Sequence, residues 1–145
     1  MKNERRVVTH NSIDDLVITR TQLLSLYSEI AMHQPIEEDA QVPELLQRFC
    51  ESLIDYTAAA HFRLYQYFDE RRERRQAVIN TAQRVFPRIS KCTDTILAFN
   101  DKYDRLRRGA NRKRLANLRN DLSSLGEVLA DRIELEDEVI RALKA

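Results

Sequence analysis

Apolar residues recur in this chain at alternating spacings of three and four, over four long stretches. The first reads Ile13, Leu16, Arg20, Leu23, Tyr27, Ile30, and the second Leu46, Phe49, Cys50, Leu53, Ile54, His61, Leu64, Tyr65, Phe68. The third reads Val78, Ala82, Val85, Ile89, Cys92, Ile96, Phe99, Tyr103, and the last Leu115, Leu118, Leu122, Leu125, Leu129, Arg132, Glu136, Val139, Leu143. At about 100° per residue this spacing lines side chains along one face of an α-helix, whereas a strand needs a period of two. Only 2 glycines and 3 prolines interrupt the 145 residues. The chain is therefore predicted to be all-α, an antiparallel four-helix bundle, because each striped helix must bury its apolar face and short links make successive helices antiparallel neighbours.

The length suits one domain, 1–145, with residues 1–11 as a flexible N-terminus. Asn11 or Ser12 is read as the cap of a first helix that runs to about Met32. Pro43 fits the first position of a second helix that runs to about Glu70. A third is predicted from about Glu73 to Tyr103, and Pro87 is expected to kink or split it, since its ring removes a backbone donor and crowds the preceding turn. The last helix is predicted from about Asn111 to Leu143. An acidic link, "HQPIEEDAQV", and a basic one, "RLRRGANRKR", join these elements.

A net charge of +1 supplies no general attraction to nucleic acid. Cys50 and Cys92 both fall on stripes and are read as buried free thiols, which fits a reducing compartment. The opening "MKNERRVVTHNS" has no apolar leader, and no stretch is long enough to span a bilayer. A cytoplasmic protein without membrane contact is expected.

The stripes carry polar residues where apolar ones would pack. Arg132 and Glu136 are four apart and can pair directly. A buried charge without a partner costs several kcal/mol, roughly, so such groups are paired or hydrogen-bonded. One internal polar cluster is predicted from Arg20, His61, Arg132 and Glu136, with Tyr65 nearby. A di-iron bundle would need Glu-x-x-His pairs; the chain has none, and His10 and His33 sit near helix ends. His61 with Glu136 could serve acid–base chemistry, but no nucleophile, phosphate loop or oxyanion device accompanies them. No catalytic residue, metal site or cofactor is therefore assigned. The cluster is read as a network that fixes helix register, with a small-ligand cavity as the alternative.

The second helix also has an outward side. Asp55 and Phe62 lie seven apart, both more than about 100° from the centre of the apolar stripe, with the small residues Ala58 and Ala59 between them. Either another element of the bundle covers Phe62, or ring, acid and shallow alanine surface form a docking site for a basic partner helix, with an aromatic anchor typical of interface hot spots.

These residues carry a resemblance. The stretch "FCESLIDYTAAAHFRLYQYF" is similar to the signature of the Rsd/AlgQ anti-sigma regulators, approximately FCxxLVDYxSAGHFxxYE, through Phe49, Cys50, Leu53, Asp55, Tyr56, Ala59, His61, Phe62 and Tyr65. "VFPRISKCTDTILAFNDKYD" resembles the family's third-helix segment, with Pro87 and Arg88 in place. "LGEVLADRIELEDEVI" matches GExLxxRFxLED at Gly126, Glu127, Leu129, Arg132, Leu135, Glu136 and Asp137, and Arg20 matches a first-helix arginine. Ala60, Gln66 and Leu16 depart from the pattern, standing where Gly, Glu and Trp are usual.

The resemblance runs from about Ile13 to Ile140. It implies a bundle that binds the primary sigma factor of RNA polymerase, mainly its region 4, and keeps it from the polymerase and the −35 promoter element. Some members of that family also bind HPr or influence SpoT, which the resemblance adds as further partners. Asp55 and Phe62 would then be partner-binding, with Glu51 and the acidic link at Glu37, Glu38 and Asp39 steering a basic surface. Two alternatives come from other features. The basic link at Arg105 to Arg114 suggests phosphate contacts, although a solvated loop without stacking aromatics explains it as well. The inner cluster suggests a ligand-responsive bundle.

Overall fold

The computed structural model describes the backbone of residues 2–33, 39–104 and 115–145, with side chains from Ile13 onward in those stretches. Glu37, Glu38 and the basic link at Arg105 to Arg114 lie outside the described residues. What is described is helical, with no strand: α1 (Lys2–Ala31), α2 (Val42–Ala60), a π-helical turn (His61–Tyr65), a short α3 (Gln66–Asp69), α4 (Gln76–Tyr103) and α5 (Leu118–Lys144). The π turn and α3 prolong α2, so there are four long rods.

Three of the four stripes are buried as the spacing predicts. In α1, Ile13, Leu16, Arg20, Leu23 and Ile30 are buried and Tyr27 is half-buried. In α4 every stripe residue is buried except Cys92, which is half-buried. In α5 all of Leu118, Leu122, Leu125, Leu129, Arg132, Glu136, Val139 and Leu143 are buried. The buried apolar residues of these stripes other than Ala82, with Phe49, Leu53 and Tyr56 of α2, form one continuous core. Burial pushes the Cys50 thiol up to about 12, so it is inert as a nucleophile at neutral pH.

Element ends differ from the sequence reading. α1 begins at Lys2 rather than at a cap on Asn11 or Ser12, so most of the stretch read as a flexible N-terminus belongs to a helix. α4 passes through Pro87 without being split. No helix among the described residues is long and apolar enough to cross a membrane.

Packing brings α1 against α2, α4 against α5, and α2 against α4. From Arg75, at the N-cap of α4, and on along that helix, the polar partners on α5 step backward. Arg75 donates to the Leu143 carbonyl at 3.1 Å, Arg84 pairs with Glu138 at 2.9 Å, Thr93 accepts from Arg132 at 2.7 Å, and Lys102 pairs with Asp121 at 2.7 Å. From α1, Arg20 reaches Asp137 at 2.8 Å and Tyr27 donates to the Leu122 carbonyl at 2.9 Å. Gly126 is what lets α5 pass under that ring: a Cβ there would sit 2.2 Å from the Tyr27 hydroxyl.

The turn into α4 depends on a buried acid. Glu73 is 8% exposed and accepts from the Tyr67 hydroxyl at 2.8 Å, the Arg75 amide at 3.0 Å and Arg75 Nε at 2.9 Å. Burial alone would push its carboxyl up. Hydrogen bonds from the Arg75 side chain and backbone and from Tyr67 outweigh that and hold it at about 2. A depressed carboxyl stabilises the fold above its unfolded value, and that stability is lost as pH falls through the folded one. Glu73→Gln is thus expected to cost about 2 kcal/mol at neutral pH. In urea titrations the deficit should shrink between about pH 4.5 and pH 2; a deficit constant across that window would show that charge plays no part.

Candidate functional site

The outer face of α2 carries a single ridge. Glu51, Asp55, Ala58 and Phe62 succeed one another at steps of four, three and four, and all are exposed. Ala59, beside them, is half-buried. Leu53, Tyr56, Ala60 and Leu64 turn the opposite way into the core. Phe62 is 62% exposed, so no other described element covers the ring, although His61 lies edge-on to it at 5.3 Å. Among the described residues no cation pairs with Asp55, while Glu51 accepts a long hydrogen bond from Gln47 at 3.4 Å. Arg63, next to the ring, is held by Asp15 of α1 at 3.6 Å, which anchors the π turn to the first helix. The ridge offers an apolar plate and two carboxylates to solvent, flanked by alanines that allow close approach.

The inner cluster differs from expectation in one member. The sequence pattern puts His61 inside, yet it is exposed and stacks on Tyr65 with ring centroids 6.1 Å apart. Ile54, assigned to the same stripe, is 38% exposed. The buried face of α2 runs through Leu53, Tyr56, Ala60 and Leu64, and His61 lies about 100° from Ala60 around the helix. Tyr56 takes the histidine's place. It is fully buried and its hydroxyl donates to Glu136 Oε1.

Around Glu136 the cluster closes. Arg20 Nη2 lies 3.5 Å from Glu136 Oε1, and Arg132 Nε lies 3.7 Å from Oε2. The Arg132 guanidinium sits over the Tyr56 ring, 5.6 Å from its centroid. Arg20 finds its closer partner in Asp137. Burial pushes the Glu136 carboxyl up to about 8, against the pull of Arg20 and with a smaller push from Asp137. Tyr65 is half-buried against Phe86, with ring centroids 4.4 Å apart. Its hydroxyl makes no hydrogen bond among the described residues, and burial raises it to about 12.

Sequence reading missed Tyr56, Thr93 and Asp137 as members. Tyr56 carries a usable signal, three residues past Leu53 and four before Ala60, but a stripe drawn through Ile54 passes it by. Among the described residues no group of three or more His, Cys, Asp and Glu side chains is placed to hold a metal ion.

Set beside known proteins, the chain falls in a class of transcription regulators rather than enzymes. The family described as "Regulator of RNA polymerase sigma(70) subunit, Rsd/AlgQ" matches residues 1–144. The chain belongs to the Rsd/AlgQ family. It is 27% identical over 128 residues to "Regulator of sigma D" of Yersinia enterocolitica serotype O:8 / biotype 1B, covering 88% of this chain and 72% of that protein. It is 29% identical over 132 residues to the protein of the same name from Pectobacterium carotovorum subsp. carotovorum, covering 89% and 85%. No solved structure matches the chain.

Proposed function

We propose that this protein is an anti-sigma factor that binds the primary sigma factor of RNA polymerase, mainly through region 4, and thereby withholds it from the polymerase and from the −35 promoter element. The observation that carries the reading is the exposed ridge of α2, where Phe62 stands 62% exposed in line with Asp55 and Glu51. A domain that reads DNA presents a basic surface, and the ridge offers it opposite charge together with a ring able to fill an apolar pocket. Asp55 accepts charge-assisted hydrogen bonds from the partner's cations in this reading. Inhibition is steric: a bound bundle occupies the surface that sigma needs for promoter and polymerase.

The four long helices are taken as an antiparallel bundle, which the backward succession of α5 partners along α4 supports. α4 is taken as kinked at Pro87, whose missing N–H leaves the carbonyl of residue 83 without its helical donor. This framework keeps the ridge on a rigid rod, so docking requires little rearrangement of the regulator.

The test is co-purification of the full chain with the primary sigma factor, and with its isolated region 4, at low salt. Retention of both supports the proposal. Failure to retain either would overturn it, and retention of whole sigma without region 4 would remove region 4 from it.

A further inference from the structure

A groove of about 450 Å³ opens beside the ridge, between the π turn and α4. Its polar lining is Thr57, His61, Tyr65, Ser90, Thr93 and Arg132. Phe86 and Pro87 supply an apolar wall, and Asp69 is the one carboxylate along it. None of these groups is used by the docking ridge.

The groove is built around an unsatisfied cation. Arg132 is 1% exposed, yet it lines the groove. One of its nitrogens donates to Thr93 at 2.7 Å, but its Nε has no hydrogen bond, and the nearest carboxylate oxygen stands off at 3.7 Å. Thr93 spends its own proton on the Ile89 carbonyl and so can only accept from Arg132. The Tyr65 hydroxyl is a second buried donor without a partner. His61 and Ser90 are exposed and add an imidazole and a hydroxyl at the entrance. The nominal counter-ion, Glu136, is held largely protonated by burial near neutral pH, while Arg20 is served by Asp137. A guanidinium so deeply desolvated gains most from an anion brought to it. The space is larger than a bare oxyanion and falls within the range of small-molecule sites.

We propose that this groove binds a small phosphate-bearing molecule, with Arg132 and Tyr65 as donors from the protein interior and His61 and Ser90 as donors at the entrance. The phosphate is either the free inorganic ion or a phosphomonoester, and the wall of Phe86 and Pro87 favours the latter by covering its organic part. The proposal does not depend on the identity of the protein partner.

The experiment is a titration of the full chain with inorganic phosphate and, separately, with ribose 5-phosphate, at constant ionic strength set by sodium chloride. It is monitored by the ring resonances of His61, identified by their absence in His61→Gln, and by calorimetry. A saturable shift of the His61 resonances with either ligand is expected, with tighter binding of ribose 5-phosphate if the site takes a phosphomonoester and no such preference if it takes the free ion. Tyr65→Phe should weaken binding by about fivefold, the loss of one hydrogen bond. Arg132→Lys should weaken it further; Tyr65→Phe and Ser90→Ala preserve the packing and keep the test valid if that variant does not fold. No saturable shift with either ligand, or binding unchanged in both Tyr65→Phe and His61→Gln, overturns the proposal.

Discussion

Asp55→Arg is expected to weaken binding of the primary sigma factor's region 4 by about 100-fold at low salt, and Phe62→Ala by about tenfold or more. The two act through different terms. Asp55 faces water without a cation among the described residues, so its carboxylate is available to a partner, and reversing it replaces attraction with repulsion at the same spot. The Phe62 ring is 62% exposed in the free protein. Burying the remainder in a complex is worth about 1–2 kcal/mol at the usual apolar coefficient. Because both residues are exposed, both variants should unfold within about 0.5 kcal/mol of wild type. Titration of labelled region 4 with each variant measures the first effect, and urea unfolding measures the second. Added salt should narrow the gap for Asp55→Arg and leave Phe62→Ala nearly unchanged, since only the former works through charge. Variants that bind region 4 as tightly as wild type would remove the ridge from the interface.

The ridge is legible in the sequence for a simple reason. Glu51, Asp55, Ala58 and Phe62 repeat at helical spacing on a helix whose opposite stripe is unbroken up to Leu53, and α2 is regular through all but the last of them. The same regularity makes α4 and α5 readable almost residue by residue. In α5 the spacing alternates between four and three from Leu118 to Leu143, and every member is buried. The start of α1 is not legible in this way, because residues 2–11 lack a periodic apolar face on which to place a boundary.

The end of α2 departs from its sequence pattern for a physical cause. From His61 to Tyr65 the chain takes a π turn, which accommodates an extra residue and rotates the rest of the rod relative to an α-helical projection. Extrapolating seven residues from Ile54 places His61 inside, whereas Ile54 itself already sits at the edge of the buried face. Tyr56 looks like an ordinary core ring, and only its hydroxyl, aimed at Glu136 from a residue eighty positions earlier, makes it part of the polar network. Glu73 is hidden among the arginines of "RRERR", where composition suggests a solvated loop rather than a buried acceptor.

That buried network sets the largest stability effect. Arg132→Ala is expected to lower the unfolding free energy by about 3–5 kcal/mol, since it opens a cavity, strips Thr93 of a donor and removes the guanidinium that stands 3.7 Å from Glu136. For a chain of this size the melting temperature should fall by roughly 10 °C. Glu136→Gln separates charge from shape. The amide oxygen still accepts from Tyr56, but the side chain no longer titrates. In wild type, burial lifts the carboxyl from 4.5 to about 8. Between those values the folded protein keeps a proton that the unfolded chain has released. The corresponding stability is complete below the lower value and is lost as pH rises through the higher one. Measured in urea, wild type should therefore lose on the order of 3 kcal/mol relative to Glu136→Gln between about pH 5 and pH 8. The two profiles should run parallel above that range. Parallel profiles throughout would mean that Arg20 and Arg132 keep Glu136 ionised, and the guanidinium of Arg132 would then already have its counter-charge.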